Sequence, residues 1–376
     1  MLWAGVALAQ ERPQLSVPQI VEKVKKGVIR IEILNIGETA ASGGYGGGSG
    51  FVFDVDYDKG EAYAITNVHV AGLAYVCQCT FWDDASYRGE LVAKEPGIDV
   101  ALLRIVGIPD ERDLPDSQKT IIPVVLGDSD QVQIGEAGIA MGCPGANEAI
   151  GTKRDDPIST LLLDQTVTAN VVTGRETPLG WLVETWQRAR NEFGYQYNTN
   201  MNYVLRMSTP ISPGNSGGPL FNSRGEVIGI NYWGGSWELQ QNNNSAIPIN
   251  LAKDFVFQIL QTGKFVKPWI GLDIIMPPFI KSGADYVEFV ERNRTKDMIV
   301  FNVRKDSPSD GKIRKGDIIL EIDGQKFKTP EEVRLYIFSL EIGAKVSIVV
   351  KREGKKLQPI EVEVSPKRKY NAEFSV

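Results

Sequence analysis

Apolar residues in the first two thirds of the chain form short runs, with turn residues, glycines and prolines spread between them. Short apolar runs at this spacing predict many short β-strands, which is typical of an all-β barrel or sandwich. The predicted strands cover residues 27–34, 51–54, 62–66, 101–105, 121–126, 166–172, 203–207, 219–221 and 226–232.

Three stretches of the same region repeat their apolar residues at helical spacing instead. Residues 17–26 form a short amphipathic pattern that leads into the first strand, and residues 181–193 carry helical spacing inside an apparent insertion. Residues 250–263 begin at Asn250 and stop at Gly263, as a helix between those residues would. We expect this last helix to end the first domain.

The pattern changes after residue 267. A single helix among several strands predicts a separate α+β domain of about 100 residues. Its strand-like runs cover 269–274, 298–304, 318–322, 346–351 and 359–364, and its helix covers 329–340, with Thr329, Pro330 and Glu332 at the start. The predicted division is an N-terminal segment (1–16), a mainly β domain (17–266), this α+β domain (267–366) and a tail (367–376).

Composition narrows the classes of partner. The 376 residues carry a formal net charge of −6, which argues against nucleic acid because phosphate binding needs a basic surface. The only histidine, His69, rules out a multi-histidine metal site. Cys77 and Cys79 alternate on a strand-like run and would face the same side of a sheet. A bridge between them would be strained, so free thiols are favoured.

The first residues resemble the end of a secretion signal. Residues 2–9 are apolar and close with Ala7-Leu8-Ala9, a small-x-small pattern typical of signal cleavage. The run is too short to span a bilayer, and the sequence predicts no other membrane span. We therefore expect an exported protein, periplasmic or secreted, whose true start lies upstream. The alternative is a frayed apolar terminus.

The strongest chemical signal is the run Gly-Asn-Ser-Gly-Gly-Pro at residues 214–219. A serine hydroxyl is a weak nucleophile that must be exposed, activated and backed by hydrogen-bond donors. Glycines on both sides allow a tight backbone path that presents Ser216 and points successive N–H groups inward. The run therefore predicts a nucleophile loop with an oxyanion hole drawn from Gly214, Asn215 and Ser216. Ordinary turn chemistry is the alternative.

A serine nucleophile of this type needs a base, and His69 is the only histidine available. A lone histidine at the end of an apolar strand is ordinarily structural, but beside a Ser216 loop we predict that it is catalytic. The orienting carboxylate is predicted to be Asp99, because an unpaired carboxylate at the start of an apolar strand is costly to bury. Asp83 and Asp84 are the rivals, in a polar, loop-like stretch.

The order His69, Asp99, Ser216 is that of the chymotrypsin fold, and the motifs resemble those of the HtrA/DegP-like serine protease family. The resemblance runs from about residue 17 to residue 364. An esterase of the α/β-hydrolase type is rejected, because its serine would precede its acid and its histidine. The matching motifs are Thr-Asn-x-His-Val at 66–70, Asp-x-Ala-Leu-Leu at 99–103, Pro-Gly-Asn-Ser-Gly-Gly-Pro at 213–219, Glu-Val-Ile-Gly-Ile-Asn at 226–231 and Ala-Ile-Pro at 246–248.

The resemblance implies two six-stranded β-barrels with the triad between them, and no cofactor. It also implies a primary specificity pocket framed by residues 210–213 and 231–234, with Ile211 at its base and no carboxylate. Such a pocket leaves a lysine or arginine side chain unpaired, so we expect cleavage after small or medium apolar residues such as Val, Ala or Leu. The expected substrate-binding residues are Ile211, Pro213, Asn231, Tyr232, Trp233 and Gly234.

The α+β domain resembles the PDZ domain of the same family. Trp269, Ile270, Gly271 and Leu272 match its carboxylate-binding loop, whose N–H groups hold the C-terminus of a peptide that adds as a strand to a sheet edge. A plain strand start is the alternative reading. An insertion at 276–297 is placed where it could cover part of the groove. The family also implies homotrimers.

Two features depart from the family pattern. Ser208 stands where the family usually has an aspartate, and residues 174–202 form a longer stretch than usual where the family keeps loops that switch the oxyanion hole. The leading hypothesis is an exported endopeptidase of protein quality control that cleaves unfolded or damaged proteins. The alternative is a catalytically silent or chaperone-like scaffold that holds partners through its PDZ domain.

Overall fold

The computed structural model describes residues 14–33, 47–72, 75–96, 98–143, 165–176, 204–212, 214–233, 244–266, 268–275, 297–328 and 330–366. The predicted helix at 181–193 and the predicted tail at 367–376 lie outside these ranges, as do most of the N-terminal segment, of the 174–202 stretch and of the 276–297 insertion. In the described part of the chain, no helix is both long and apolar enough to cross a membrane.

The first barrel consists of six antiparallel strands. Helix α1 (Val17–Val24) and a 3-10 turn (Lys25–Gly27) lead into it. Its strands are β1 (Val28–Ile33), β2 (Gly47–Asp56), β3 (Glu61–Thr66), β4 (Val76–Thr80), β5 (Ser86–Glu95) and β6 (Val100–Val106). They pair in the order β1-β2-β3-β6-β5-β4, and β4 pairs with β1 to close the ring. Alternate apolar residues such as Ile29 and Ile31 fill the interior. A single-turn helix, α2 (Val68–Ala71), follows β3.

The second barrel repeats this strand order. Its strands are β7 (Val125–Leu126), β8 (Ala137–Gly142), β9 (Thr166–Glu176), β10 (Val204–Met207), β11 (Pro219–Phe221), β12 (Glu226–Trp233) and β13 (Asn244–Pro248). Six of them pair in the order β8-β9-β10-β13-β12-β11, and β11 pairs with β8 to close the ring. Strand β7 adds in parallel to β12. Helix α3 (Ile249–Thr262) follows the barrel, where a helix was predicted.

The predicted fold class, mainly β with two six-stranded barrels, is confirmed, but several strands escaped sequence reasoning. Strand β5 has an apolar run of only three residues among polar ones, β8 is built largely of glycine and alanine, and β13 contains Asn244 and Pro248. Such residues are depleted in strands, so their local signal is weak and pairing with neighbours decides their conformation. The predicted strand at 121–126 is wrong over most of its length, since only Val125 and Leu126 pair.

The C-terminal unit is the predicted α+β domain, and the structure divides the chain between Phe257 and Gln258, within α3. Its strands are β14 (Pro268–Trp269), β15 (Leu272–Ile275), β16 (Met298–Val303), β17 (Ile318–Ile322), β18 (Lys345–Arg352), β19 (Lys355–Lys356), β20 (Ile360–Glu363) and β21 (Ser365–Pro366). The main sheet has the order β15-β16-β17-β18-β19, with β20 on β18. Helix α4 (Pro330–Phe338) packs on it through Val333 and Ile337.

The cysteine prediction is also confirmed. Cys77 and Cys79 are free, buried thiols whose sulfur atoms are 3.9 Å apart. The neighbouring strand makes room for both at Gly89, where a Cβ atom would lie 2.6 Å from one sulfur and 2.7 Å from the other. These thiols therefore belong to the packing of the first barrel.

Candidate active site

His69 lies on α2, at the end of the first barrel. Its neighbours Val68 and Val70 are buried and anchor the helix to the core, while the His69 side chain is 35% exposed. The next residue after α2 is held as well, because the Lys94 ammonium donates to the Gly72 carbonyl oxygen at 2.5 Å. The ring is thus fixed on a short, anchored segment with one side open.

Asp99 binds the His69 ring on the side away from solvent. Its carboxylate is fully buried and accepts two hydrogen bonds from His69, one from the backbone N–H at 3.0 Å and one at ring Nδ1 at 2.6 Å. A proton on Nδ1 is required for the second bond, because an ionised carboxylate only accepts. The pair therefore leaves Nε2 as the free basic nitrogen, the arrangement that a general base needs.

Asn67, which the sequence analysis did not single out, holds Asp99 in place. Asp99 has φ +54°, a left-handed conformation that is uncommon for a residue with a side chain. Its carbonyl oxygen accepts from the Asn67 side-chain Nδ2 at 2.9 Å and from the Val68 N–H at 3.3 Å. Asn67 is fully buried, and its side chain makes no capping hydrogen bond to the start of α2, where only its backbone carbonyl oxygen accepts, from Val70 and Ala71. Its amide thus stabilises the unusual backbone that aims the carboxylate at His69.

The charge of Asp99 also tunes the His69 ring. Burial by itself disfavours the charged imidazolium, but charge attraction to Asp99 and the hydrogen bond with it outweigh burial. Together they raise the pKa of His69 above its ordinary value. This environment stabilises the imidazolium that forms when the ring takes a proton from a nucleophile.

The nucleophile loop packs against the His69 segment. A Cβ atom at Gly217 would lie 3.2 Å from the Asn67 backbone nitrogen, and one at Gly48 would lie 2.8 Å from Val70 and 2.9 Å from the Ser216 carbonyl oxygen. Such approach is possible only because glycine occupies both positions. The structure thus brings the backbone of Ser216 next to α2, although no hydrogen bond joins the Ser216 hydroxyl to His69 among the described contacts.

The loop also offers hydrogen-bond donors. The Asn215 N–H donates to the Ser212 carbonyl oxygen at 3.0 Å, and the Gly217 N–H donates to the Asn231 carbonyl oxygen at 2.9 Å. Within the described residues, the N–H groups of Gly214 and Ser216 donate no hydrogen bond. Of the three predicted donors, Gly214 and Ser216 are therefore available to an oxyanion, whereas Asn215 is engaged elsewhere.

The predicted specificity pocket is only partly described. Ile211 is half-buried, and the buried Tyr232 ring packs edge-on against His69 with ring centres 6.2 Å apart. The placement of Asn231 corrects the expectation that it contacts substrate. Its side chain is fully buried and donates to the carbonyl oxygens of Met141 and Pro219. Pro213, Gly234 and the side chain of Trp233 lie outside the described residues.

The predicted carboxylate-binding loop has a second set of uncommitted donors. The carbonyl oxygens of Ile270 and Gly271 accept from the N–H groups of Ser309 and Arg304, at 3.2 and 2.9 Å. The N–H groups of Ile270 and Gly271 themselves donate no hydrogen bond in the described part of the chain. Gly271 has φ +85°, and a Cβ atom there would lie 2.0 Å from that of Ser307, so only glycine fits.

Comparison with known sequences agrees with this geometry. One family model, described as a trypsin-like peptidase domain, matches residues 48–230, and another, described as a PDZ domain, matches residues 287–364. A probable periplasmic serine endoprotease DegP-like of Pseudomonas fluorescens is 30% identical over 319 residues, which cover 82% of this chain and 54% of the relative. The serine protease Do-like HtrB of Bacillus subtilis is 30% identical over 318 residues, with 82% and 60% covered. The chain thus spans only 54% and 60% of the length of these two relatives.

Solved structures share the fold. The HtrA-type protease AlgW, solved with a tripeptide, matches with a TM-score of 0.66 at 23% identity over 94% of this chain and 97% of that chain. The serine endoprotease from Yersinia pestis matches with a TM-score of 0.58 at 21% identity over 94% and 99%. Fold and family models together define a trypsin-like peptidase domain followed by a PDZ domain. Over 82% of its length, the chain is similar in sequence to HtrA/DegP-like serine proteases.

Proposed function

We propose that this chain is a serine endopeptidase that hydrolyses peptide bonds through an acyl-enzyme at Ser216. The observation that carries the proposal is the Asp99–His69 pair, in which both carboxylate oxygens bind His69 and leave Nε2 free. The nucleophile loop lies against the same segment with the N–H groups of Gly214 and Ser216 uncommitted. A base and two amide donors therefore flank one serine.

The proposed chemistry uses only these groups. The Ser216 hydroxyl oxygen attacks the scissile carbonyl carbon while its proton passes to His69 Nε2, and the oxyanion that forms is stabilised by the N–H groups of Gly214 and Ser216. His69 then gives its proton to the leaving amine, which departs and leaves an ester on Ser216. A water molecule, deprotonated by His69, hydrolyses that ester and restores the hydroxyl.

Labelling by a fluorophosphonate tests the proposal directly. The reagent phosphonylates a serine hydroxyl only where a base and an oxyanion hole act on it. We expect one label per chain, on Ser216, as read by mass spectrometry of the digested protein. A chain that takes no label would instead favour the catalytically silent scaffold, and a label on another serine would refute Ser216 as the nucleophile.

We propose unfolded or damaged proteins of the periplasm as substrates, which makes the enzyme one of protein quality control. The relative from Pseudomonas fluorescens is named a periplasmic endoprotease, which supports this compartment. An unfolded chain offers an extended segment with unpaired backbone groups, which both a cleavage site and a sheet edge require. Assembly into homotrimers stays a prediction.

The predicted specificity pocket determines which residue we expect before the cleaved bond. We expect kcat/KM for a peptide with Val, Ala or Leu before the scissile bond to exceed that for Lys or Arg by about 100-fold or more, because a buried ammonium or guanidinium would stay unpaired. Matched fluorogenic peptides that differ only at this residue measure the ratio. Equal or faster cleavage after Lys or Arg would exclude an apolar pocket.

We propose that the PDZ domain captures C-terminal peptides along strand β15. This strand stands at the end of the sheet order and pairs only with β16 in the described part of the chain, so its other edge is open to an added strand. The uncommitted N–H groups of Ile270 and Gly271 lie just before the strand and suit a terminal carboxylate. Helix α4 lies on the same domain, with Val333 and Ile337 in its core.

This capture predicts that a free carboxylate matters. A peptide with a free C-terminus should bind at least about 10-fold more tightly than its amide, because an amide leaves one charge-assisted hydrogen bond unmade. Fluorescence anisotropy on the full chain measures both affinities, and the Ser216→Ala background prevents cleavage of the peptide. Equal affinities would show that the terminus is not recognised.

A further inference from the structure

Ser49, on strand β2, is completely buried and makes four hydrogen bonds to three separate segments. Its hydroxyl donates to the Gly214 carbonyl oxygen at 2.7 Å and accepts from the Cys143 N–H at 2.8 Å. Its backbone N–H donates to the Ser216 carbonyl oxygen at 2.8 Å, and its own carbonyl oxygen accepts from the Thr66 hydroxyl at 2.7 Å. The first barrel thereby holds the nucleophile loop at two points.

The hydrogen bond from the Ser49 hydroxyl to the Gly214 carbonyl oxygen restrains the peptide plane between Gly214 and Asn215. Gly214 C=O and Asn215 N–H belong to the same peptide unit and point in opposite directions, since the bond is trans. Ser49 holds the carbonyl end, and the Ser212 carbonyl oxygen holds the N–H end. Both ends of this plane are therefore tied, and it cannot rotate without breaking one of the two bonds.

The peptide unit after Ser216 is tied in the same way. Its carbonyl oxygen accepts from the Ser49 N–H, and the Gly217 N–H donates to the Asn231 carbonyl oxygen. Gly214 and Gly217 have φ of +95° and +83°. Glycine tolerates many other backbone angles, so local preference does not hold the loop in shape and the hydrogen bonds have to do so.

The backbone of two glycines packs closely around Ser49. A Cβ atom at Gly142 would lie 2.9 Å from the Ser49 hydroxyl oxygen, and one at Gly217 would lie 2.2 Å from the Ser49 carbonyl oxygen. Loss of the hydroxyl would leave the Gly214 carbonyl and the Cys143 N–H buried without this partner, which is costly. The plane between Gly214 and Asn215 would then be held at one end only.

We infer that Ser49 is a positioning residue that keeps the oxyanion hole open by fixing the Gly214–Asn215 peptide plane through its hydroxyl. The inference rests on the proposed peptidase function and adds a residue of the first barrel to the determinants of the hole. No hydrogen bond joins Ser49 to His69 among the described contacts, and Ser49 acts through Gly214.

The test compares Ser49→Ala with the wild-type chain. We expect kcat on an unfolded substrate, and the rate of fluorophosphonate labelling at Ser216, to fall by about 10- to 100-fold with little change in KM, because oxyanion donors act mainly in the transition state. Full activity of Ser49→Ala would overturn the inference.

Two readouts separate positioning from general damage. The ring resonances of His69, the only histidine of the chain, report on the triad alone, and Ser49→Ala should leave their titration unchanged. Ser129→Ala is the matched control: Ser129 is also fully buried and accepts from a backbone N–H, that of Asn250 at 3.2 Å, away from the loop. This variant should lose stability but keep kcat. An equal loss of kcat in both variants would sink the inference.

One measurement does not depend on catalysis. Hydrogen exchange of the Asn215 N–H should accelerate by about 10-fold or more in Ser49→Ala, because only the bond to the Ser212 carbonyl oxygen then restrains the peptide plane. Unchanged protection overturns the inference even if the chain hydrolyses nothing. A wild-type chain that takes no fluorophosphonate would sink the proposed function instead, so the two failures are distinguishable.

Discussion

Replacing Ser216 with alanine is expected to reduce hydrolysis of casein by about 10⁶-fold, to the level left by binding and the oxyanion donors alone. The variant loses the attacking oxygen, so no acyl-enzyme forms and the Asp99–His69 pair has no proton to accept. Ser216 is only half-buried and contributes its backbone, not its hydroxyl, to the described hydrogen bonds of the loop. We therefore expect the fold to survive.

The matched control is Ser223→Ala, a serine in the turn between β11 and β12. It should keep wild-type turnover and the wild-type thermal unfolding temperature. Circular dichroism on both variants checks that the Ser216 variant remains folded. Turnover by folded Ser216→Ala within about 10-fold of wild type would refute the nucleophile assignment, since removal of a nucleophile has a far larger effect.

Replacing Asp99 with asparagine is expected to reduce kcat by about 10⁴-fold, because the amide stabilises the wrong tautomer of His69 and cannot balance its positive charge. In the wild-type chain, His69 Nδ1 lies 2.6 Å from the carboxylate and its backbone N–H also binds Asp99. An asparagine fills the same space, so the loss is one of charge and of hydrogen-bond direction rather than of packing.

The same substitution shifts the pH dependence. The base must be neutral, so activity rises with pH as His69 loses its proton, and Asp99 raises the pKa of His69. Without the carboxylate the pKa falls, and the acidic limb of kcat/KM should move to lower pH. Whereas activity rises with pH, the stability that the raised pKa of His69 contributes falls with pH. This stability is fully present below the pKa of the histidine in the unfolded chain, and it is lost as pH rises through the pKa of His69 in the folded chain.

Asp84→Asn provides the control for charge alone. Asp84 lies in the turn between β4 and β5 with φ +64°, a conformation that asparagine also tolerates. This variant should keep both kcat and the acidic limb, as measured by rate profiles and by NMR titration of the single histidine. Equal losses in the Asp84 and Asp99 variants would remove Asp99 from the triad.

The residues that support the site were beyond sequence reasoning for a common reason. Asn67 stands out in the sequence only as a member of the Thr-Asn-x-His-Val motif, yet its amide binds the carbonyl of Asp99, 32 residues away. Ser49 stands in a glycine-rich run, yet its hydroxyl binds Gly214, 165 residues away. Asn231 was expected to contact substrate, yet its side chain ties β12 to Met141 and Pro219. Nothing local distinguishes these partners.

The sequence by itself determined the fold class, because short apolar runs between turns define strands and glycines define the turns. It also singled out His69, since the chain has no other histidine, and Ser216, since its glycine neighbours are unusual. Only the tertiary structure decided which N–H groups are free and which amides are buried. Which groups are free or buried depends on contacts between the two barrels. Hydrogen-bond partners that lie far apart in the chain produce no recognisable pattern in the amino-acid sequence.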